Sequence, residues 1–242
     1  MLNMSAKRFL VISLLCVIAA VINRFLSLFA VFELKIPLFI DTIFTAAVTF
    51  SFGLIPGLVT AFLTWVLGFI GTHEPSPFII CSIAEVFLIW LLKPEARLKL
   101  NRANDDIVLA ENLGVLARLM LLYISASVIV SVLGGLVDYF YFTVLPISKA
   151  HISAEDVYKA GIQQNLFPVP IMNILSRIPV NLVDRFIVIF GGYFISLFIS
   201  LNMEKKVSLL TQLIFSHRKE KKVKNAKISK TYSEDAAEAE TW

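Results

Sequence analysis

Arg177, Asn181, Asp184 and Arg185 are the residues whose types and spacing could do chemistry in this chain. They head an otherwise apolar segment that runs on from Phe186 to Leu201. A full charge in hydrocarbon costs from about 3 to more than 10 kcal/mol, so charges on such a segment normally face a partner or a wet cavity. At about 100° per residue, a helix places all four side chains within roughly 100° of one face. Val188, Gly191 and Gly192 continue that face, while Leu182, Phe186, Ile189 and Phe190 lie away from it. Such a stripe can either meet a polar ligand or lock neighbouring helices through ion pairs.

Composition says what kind of element must carry these residues. The chain has 242 residues, 57% hydrophobic and 17% charged, with a mean hydropathy of +0.79. Soluble domains are about 45–50% apolar and about 25% charged. Here the excess is gathered into long apolar blocks, as a polytopic α-helical membrane protein requires. A closed barrel needs short alternating segments instead. The net charge of +4 comes from Lys and Arg beside apolar segments and in the tail, which argues against nucleic acid as a partner. Cys16 and Cys81 both lie in apolar segments and read as small buried hydrophobes. His73, His151 and His217 are too far apart in sequence to suggest a metal site. No Gly-rich phosphate loop is present, so the chain is not expected to hydrolyse ATP. Neither enzymatic activity nor a cofactor or metal is expected.

Six spans are read along the chain. The first is Phe9 to Phe32, an uncleaved helix with Ser13, Cys16, Ala20, Arg24 and Ser27 on one face. The second runs from about Leu38 to Leu54 and carries Asp41, Thr45 and Thr49 on a face. Gly53 to Gly57, with Pro56, has turn chemistry. The third spans about Leu58 to Ile70, and its stripe of Gly57, Ala61, Thr64, Gly68 and Gly71 suits close helix packing. The fourth, Phe78 to Leu92, is short and holds Glu85 near its middle, so it needs helices or a cavity around it. The fifth is Val115 to Thr143, with Ser127, Ser131, Gly135 and Asp138 along one face. The sixth follows Pro170, with Pro179 close to its start. Residues 1–203 then form a transmembrane domain, and 204–242 an amphipathic, basic tail with an acidic, disordered end. Lys7 and Arg8, the Lys93–Arg102 cluster and the Lys205–Lys230 cluster fall on one side of six spans. By the positive-inside rule that side is the cytoplasm, which places both termini there and the chain in the cytoplasmic (inner) membrane.

This topology sets Arg24, Asp41, Asp138, Arg177, Asp184 and Arg185 in the outer part of the bilayer and Glu85 near the middle. Three cations face four carboxylates. Mutual ion pairing is one reading, an outward-facing polar pocket capped by the 33–37, 72–77 and 144–170 loops is another, and a proton relay, with no His in a span to support it, is a third. Arg177 and Asn181 sit shallow enough to meet a ligand, whereas Asp184 and Arg185 lie deeper, where Glu85 or Arg24 can occupy them.

Ile36-Pro37-Leu-Phe-Ile-Asp41-Thr-Ile-Phe and Thr49-Phe-Ser-Phe-Gly53-Leu-Ile-Pro56-Gly57-Leu-Val-Thr-Ala61 resemble the second and third helices of S components. These are the substrate-binding membrane subunits of energy-coupling factor (ECF) vitamin transporters. Asn181-Leu-Val-Asp184-Arg185 with Gly191-Gly192-Tyr193 is similar to their sixth helix. The resemblance implies a six-helix bundle that captures a small water-soluble vitamin or related micronutrient at the outer face. It further implies uptake driven by a separate T component and two ATPase subunits. Docking on the T component would use the first helix, where Cys16-x-x-x-Ala20 stands for the family's Ala-x-x-x-Ala. A membrane sensor or input module of a signalling system, without a catalytic domain of its own, is the alternative. A scaffold whose charges are all structural is a third reading.

Overall fold

The structure, a computed structural model, describes residues 4–32, 40–72, 77–94, 105–145 and 167–200. The chain divides into two compact units, 1–197 and 198–242, and the described part of the second is residues 198–200. The tail from 204 onward, the 33–37 connector and nearly all of the capping loops expected from the sequence lie outside the described residues.

The described residues are helical almost throughout and contain no strand. Helix α1 is Met4–Phe32. A single 3-10 turn, Ile40–Thr42, leads into α2, Ile43–Phe52. Then come α3, Leu54–Thr72, and α4, Ile79–Leu92. Helix α5, Asp105–Asp138, continues into π-helical turns over Tyr139–Val144. Helix α6 is Val169–Ser200.

Three apolar stretches are long enough to cross a membrane: Phe9–Ala30, Asn112–Tyr141 and Val169–Ser200. The other three apolar helices, Ile43–Phe52, Leu54–Ile70 and Ile79–Leu92, are shorter. At 1.5 Å per residue, α2 reaches about 15 Å and α4 about 21 Å, against a hydrocarbon core of about 30 Å.

Burial explains how so short an α2 is tolerated. Five consecutive residues, Thr45 to Thr49, are buried, so the helix is enclosed on all sides. It packs on α1, α3 and α4. Its small side chains also let α6 approach closely, since a Cβ on Gly192 would lie 2.7 Å from Ala46 Cβ. A central helix that never meets lipid does not have to match the lipid's thickness.

Gly53 alone makes the break between α2 and α3, with φ +92°, a backbone that other residues adopt only under strain. Its N–H donates to Thr49 O at 2.9 Å and closes α2. The turn is therefore tighter than the expected Gly53–Gly57, and α3 begins at Leu54. Pro56 fits inside because the first turn of a helix needs no N–H there. Thr49 and Gly57, equally far from the break, meet so closely that a Cβ on Gly57 would collide with the Thr49 hydroxyl. The two helices thus fold back as a hairpin.

Two other boundaries move outward from those expected. Helix α5 starts at Asp105 rather than Val115, because a polar sequence can continue a helix beyond the apolar block. Helix α6 begins at Val169, so Pro179 stands in its interior, where it cannot donate to the Leu175 carbonyl.

Large apolar side chains point outward, among them Phe9, Phe25, Ile55, Phe62, Leu91, Leu121, Phe186 and Phe194. Asn23, Glu85, Asp138, Arg177, Asn181, Asp184 and Arg185 point inward and are at most 5% exposed. That inversion, polar inside and apolar outside, suits a bilayer and not water. One face was drawn too narrow from the sequence. Ile189 is fully buried, packed with Val115, Leu119 and Leu122 of α5. Phe190 is half-buried against Tyr123. Helix α5 covers that flank of α6, which therefore does not face lipid.

Candidate functional site

Helix α6 delivers the charges, and the four α6 residues singled out above meet different partners. Arg185 Nη1 donates to Glu85 Oε2 of α4 at 2.5 Å and to Thr42 Oγ1, ahead of α2, at 3.2 Å. Its Nη2 pairs with Asp184 on the same helix. This one guanidinium ties α4, α6 and the start of α2 together. Two oxygens of the cluster, Glu85 Oε1 and Asp184 Oδ1, are buried without a hydrogen-bond partner.

Arg177 lies two turns nearer the start of α6. Its guanidinium is 3.6 Å from Asp138 Oδ1 at the end of α5 and sits over the Phe78 ring, 4.7 Å from the centroid. Gly134 makes room for it, since a Cβ there would stand 2.8 Å from Nη1. Gly135 does the same for the backbone of Ile174, at 2.7 Å from its Cα. The small residues of α5 are thus what allow a cationic helix to lie against it. Between the two arginines, Asn181 Nδ2 donates to Ser131 Oγ at 2.9 Å.

On the opposite side, Asn23 of α1 holds the hairpin. Its Nδ2 reaches Thr45 Oγ1 at 2.9 Å and Thr64 Oγ1 at 3.3 Å, and its Oδ1 accepts from Phe44 N at 3.0 Å. One carboxamide therefore bridges α1, α2 and α3.

Between these two frameworks lie two adjoining cavities. The larger, about 240 Å³, is lined by Arg24 and Ser27 of α1, Asp41, Thr45, Thr64 and Trp65, among others. The smaller, about 60 Å³, is lined by Cys81, Val130, Arg177, Asn181 and Arg185. Both share Asp41, Thr42, Phe78 and Ser82. Ligand sites run from about 300 Å³ upward for drug-sized molecules, so a space near 240 Å³ suits a small solute.

Of the residues proposed from the sequence as ligand-binding, Arg24, Asp41, Arg177, Asn181 and Arg185 line these cavities. Asp138 stands behind Arg177, while Glu85 and Asp184 stand behind Arg185. Arg24 is not near enough to pair with Arg185's carboxylates: among the described residues, Arg185 pairs with Glu85 and Asp184 instead. Cys16 and Ala20 are buried inside this chain, with the Cys16 thiol 3.6 Å from the Pro56 carbonyl. The small-residue stripe of α3 has two uses: Gly57 packs on α2, whereas Ala61, Thr64 and Gly68 line the larger cavity.

Asn23, Thr42, Trp65, Phe78 and Ser82 were not identified from the sequence. Asn23 next to Arg24 in an apolar helix was a signal available there, since an amide in hydrocarbon needs partners. The other four carry none, because an isolated hydroxyl or aromatic residue in an apolar segment is ordinary. Among the described residues, no group of acidic, His and Cys side chains could hold a metal ion.

Comparison with models of known families, with curated proteins and with solved structures finds no match for this chain.

Proposed function

We propose that this chain is the solute-binding subunit of a membrane uptake system, capturing a small water-soluble molecule in the cavity between α1, α2, α3 and α4. The observation that carries the reading is the larger cavity: Arg24 and Asp41 line it, and among the described residues neither has an ion pair. Charges needed only to hold helices together are matched, as Arg177 is with Asp138 and Arg185 with Glu85. A cavity that keeps an unmatched acid and base has polar groups to offer a ligand.

In this reading the chain crosses the inner membrane six times with both termini in the cytoplasm, and the cavity lies toward the outside. The short helices α2, α3 and α4 complete the six crossings by packing among the long ones. The resemblance to ECF S components supports a vitamin-like solute, with a T component and two ATPase subunits as separate chains that drive uptake. Purification of the full chain from membranes in mild detergent, followed by mass spectrometry of bound small molecules and co-purifying proteins, tests it. A single water-soluble solute together with ATPase subunits is the expected result. Recovery with a kinase or response regulator and no bound solute contradicts it.

A further inference from the structure

Among the described residues, seven ionisable side chains lie at or behind the cavity walls: Arg24, Arg177 and Arg185 against Asp41, Glu85, Asp138 and Asp184. Three cations against four carboxylates leave one negative charge over. Pairing shows where it collects. Arg177 pairs with Asp138, and Arg185 is shared by two carboxylates, Glu85 and Asp184. Each of those two keeps a buried oxygen without a hydrogen-bond partner, Glu85 Oε1 and Asp184 Oδ1, so neither carboxylate is fully satisfied by the guanidinium they share. Asp41 adds a further carboxylate and lines both cavities, with Thr42, next in sequence, bonded to Arg185. Among the described residues the floor therefore holds more carboxylates than guanidiniums, and Arg24, half-exposed on α1, is the only described cation of the larger cavity.

We infer that the solute carries a protonated or quaternary nitrogen and seats it on Asp41, supplying the positive charge that the floor lacks. A net charge left in a low-dielectric interior is costly, and a bound cation removes that cost. Trp65 in the same lining offers an aromatic face to such a group, while the Phe78 ring already carries the Arg177 guanidinium. Size limits the remainder of the molecule. An apolar cavity of about 150 Å³ holds benzene, so about 240 Å³ accepts one ring with a short arm. This assignment rests on the solute-binding reading above and adds the charge of the ligand to it.

Three probes of nearly equal shape separate charge from fit: 3-phenylpropylamine, which is a cation at neutral pH, neutral 3-phenylpropan-1-ol and anionic 3-phenylpropanoate. Dissociation constants are read from concentration-dependent thermal stabilisation of the full chain in detergent. The amine should bind at least about tenfold tighter than the alcohol, the size expected of one charge-assisted contact. Asp41→Asn should abolish that preference and Asp41→Glu should keep it. Arg24→Ala, on a half-exposed side chain that has no ion pair to lose, should tighten the amine, and weaker binding there counts against the assignment. Binding of the alcohol or the anion equal to that of the amine overturns it, as does a preference that survives Asp41→Asn. Tighter binding of the anion removes only the charge assignment. If none of the probes binds and no solute co-purifies, the solute-binding reading falls with it.

Discussion

Arg185 and Arg177 carry the same charge on one helix and do different work. Arg185 is 3% exposed and is held by Glu85, Asp184 and Thr42. Removing one partner of a buried ion pair costs about 3–5 kcal/mol, because the other charge stays behind unmatched. Arg185→Met should therefore lower the thermal midpoint sharply in detergent. Arg185→Met combined with Glu85→Gln and Asp184→Asn should recover part of that loss, since no uncompensated charge remains. Equal instability of the single and triple variants would place the effect in packing instead. The sequence could mark Glu85 as a possible partner for Arg185. It could not show that Asp184, the adjacent residue, would share the same guanidinium. Which pairs form depends on side-chain reach across three helices, and that is a tertiary property.

Helices in this chain meet where glycine or threonine lets them. A Cβ on Gly135 would lie 2.7 Å from the Ile174 backbone, whereas nothing lies within 4 Å of a Cβ on Gly114. Gly135→Ala should accordingly destabilise the chain by about 1–3 kcal/mol through overpacking. Gly114→Ala, in the same helix, should be neutral or stabilising by up to about 1 kcal/mol, because alanine is the better helix former. Thermal unfolding of the two variants side by side checks the pair of expectations, and equal effects would contradict the α5–α6 contact. Asn23→Leu should weaken the α1–α2–α3 framework by about 2–4 kcal/mol, given three hydrogen bonds lost at about 1 kcal/mol each and two threonine hydroxyls left short of a donor. The helices themselves were legible from apolar blocks, and the stripe on α6 from its spacing. Their ends were not, since α5 runs on through polar residues and α3 starts one residue after Gly53. The enclosure of α2 was not legible either. Thr45 to Thr49 reads as an ordinary small-residue span until the helices around it are known.

A polar interior inside an apolar shell suits a membrane, and the orientation proposed above rests on loop charge alone. A reporter joined after residue 242 should read cytoplasmic, and an external reading would overturn the six-crossing topology. Ser82 lines both parts of the cavity and takes no part in the side-chain frameworks around it. Ser82→Trp places an indole in that space and leaves Arg185, Arg177 and Asn23 with their partners. Native mass spectrometry of the detergent-purified chain should show one bound small molecule per wild-type chain and none on Ser82→Trp, with both proteins folded. A Ser82→Trp chain that retains the solute as fully as the wild type would contradict the account.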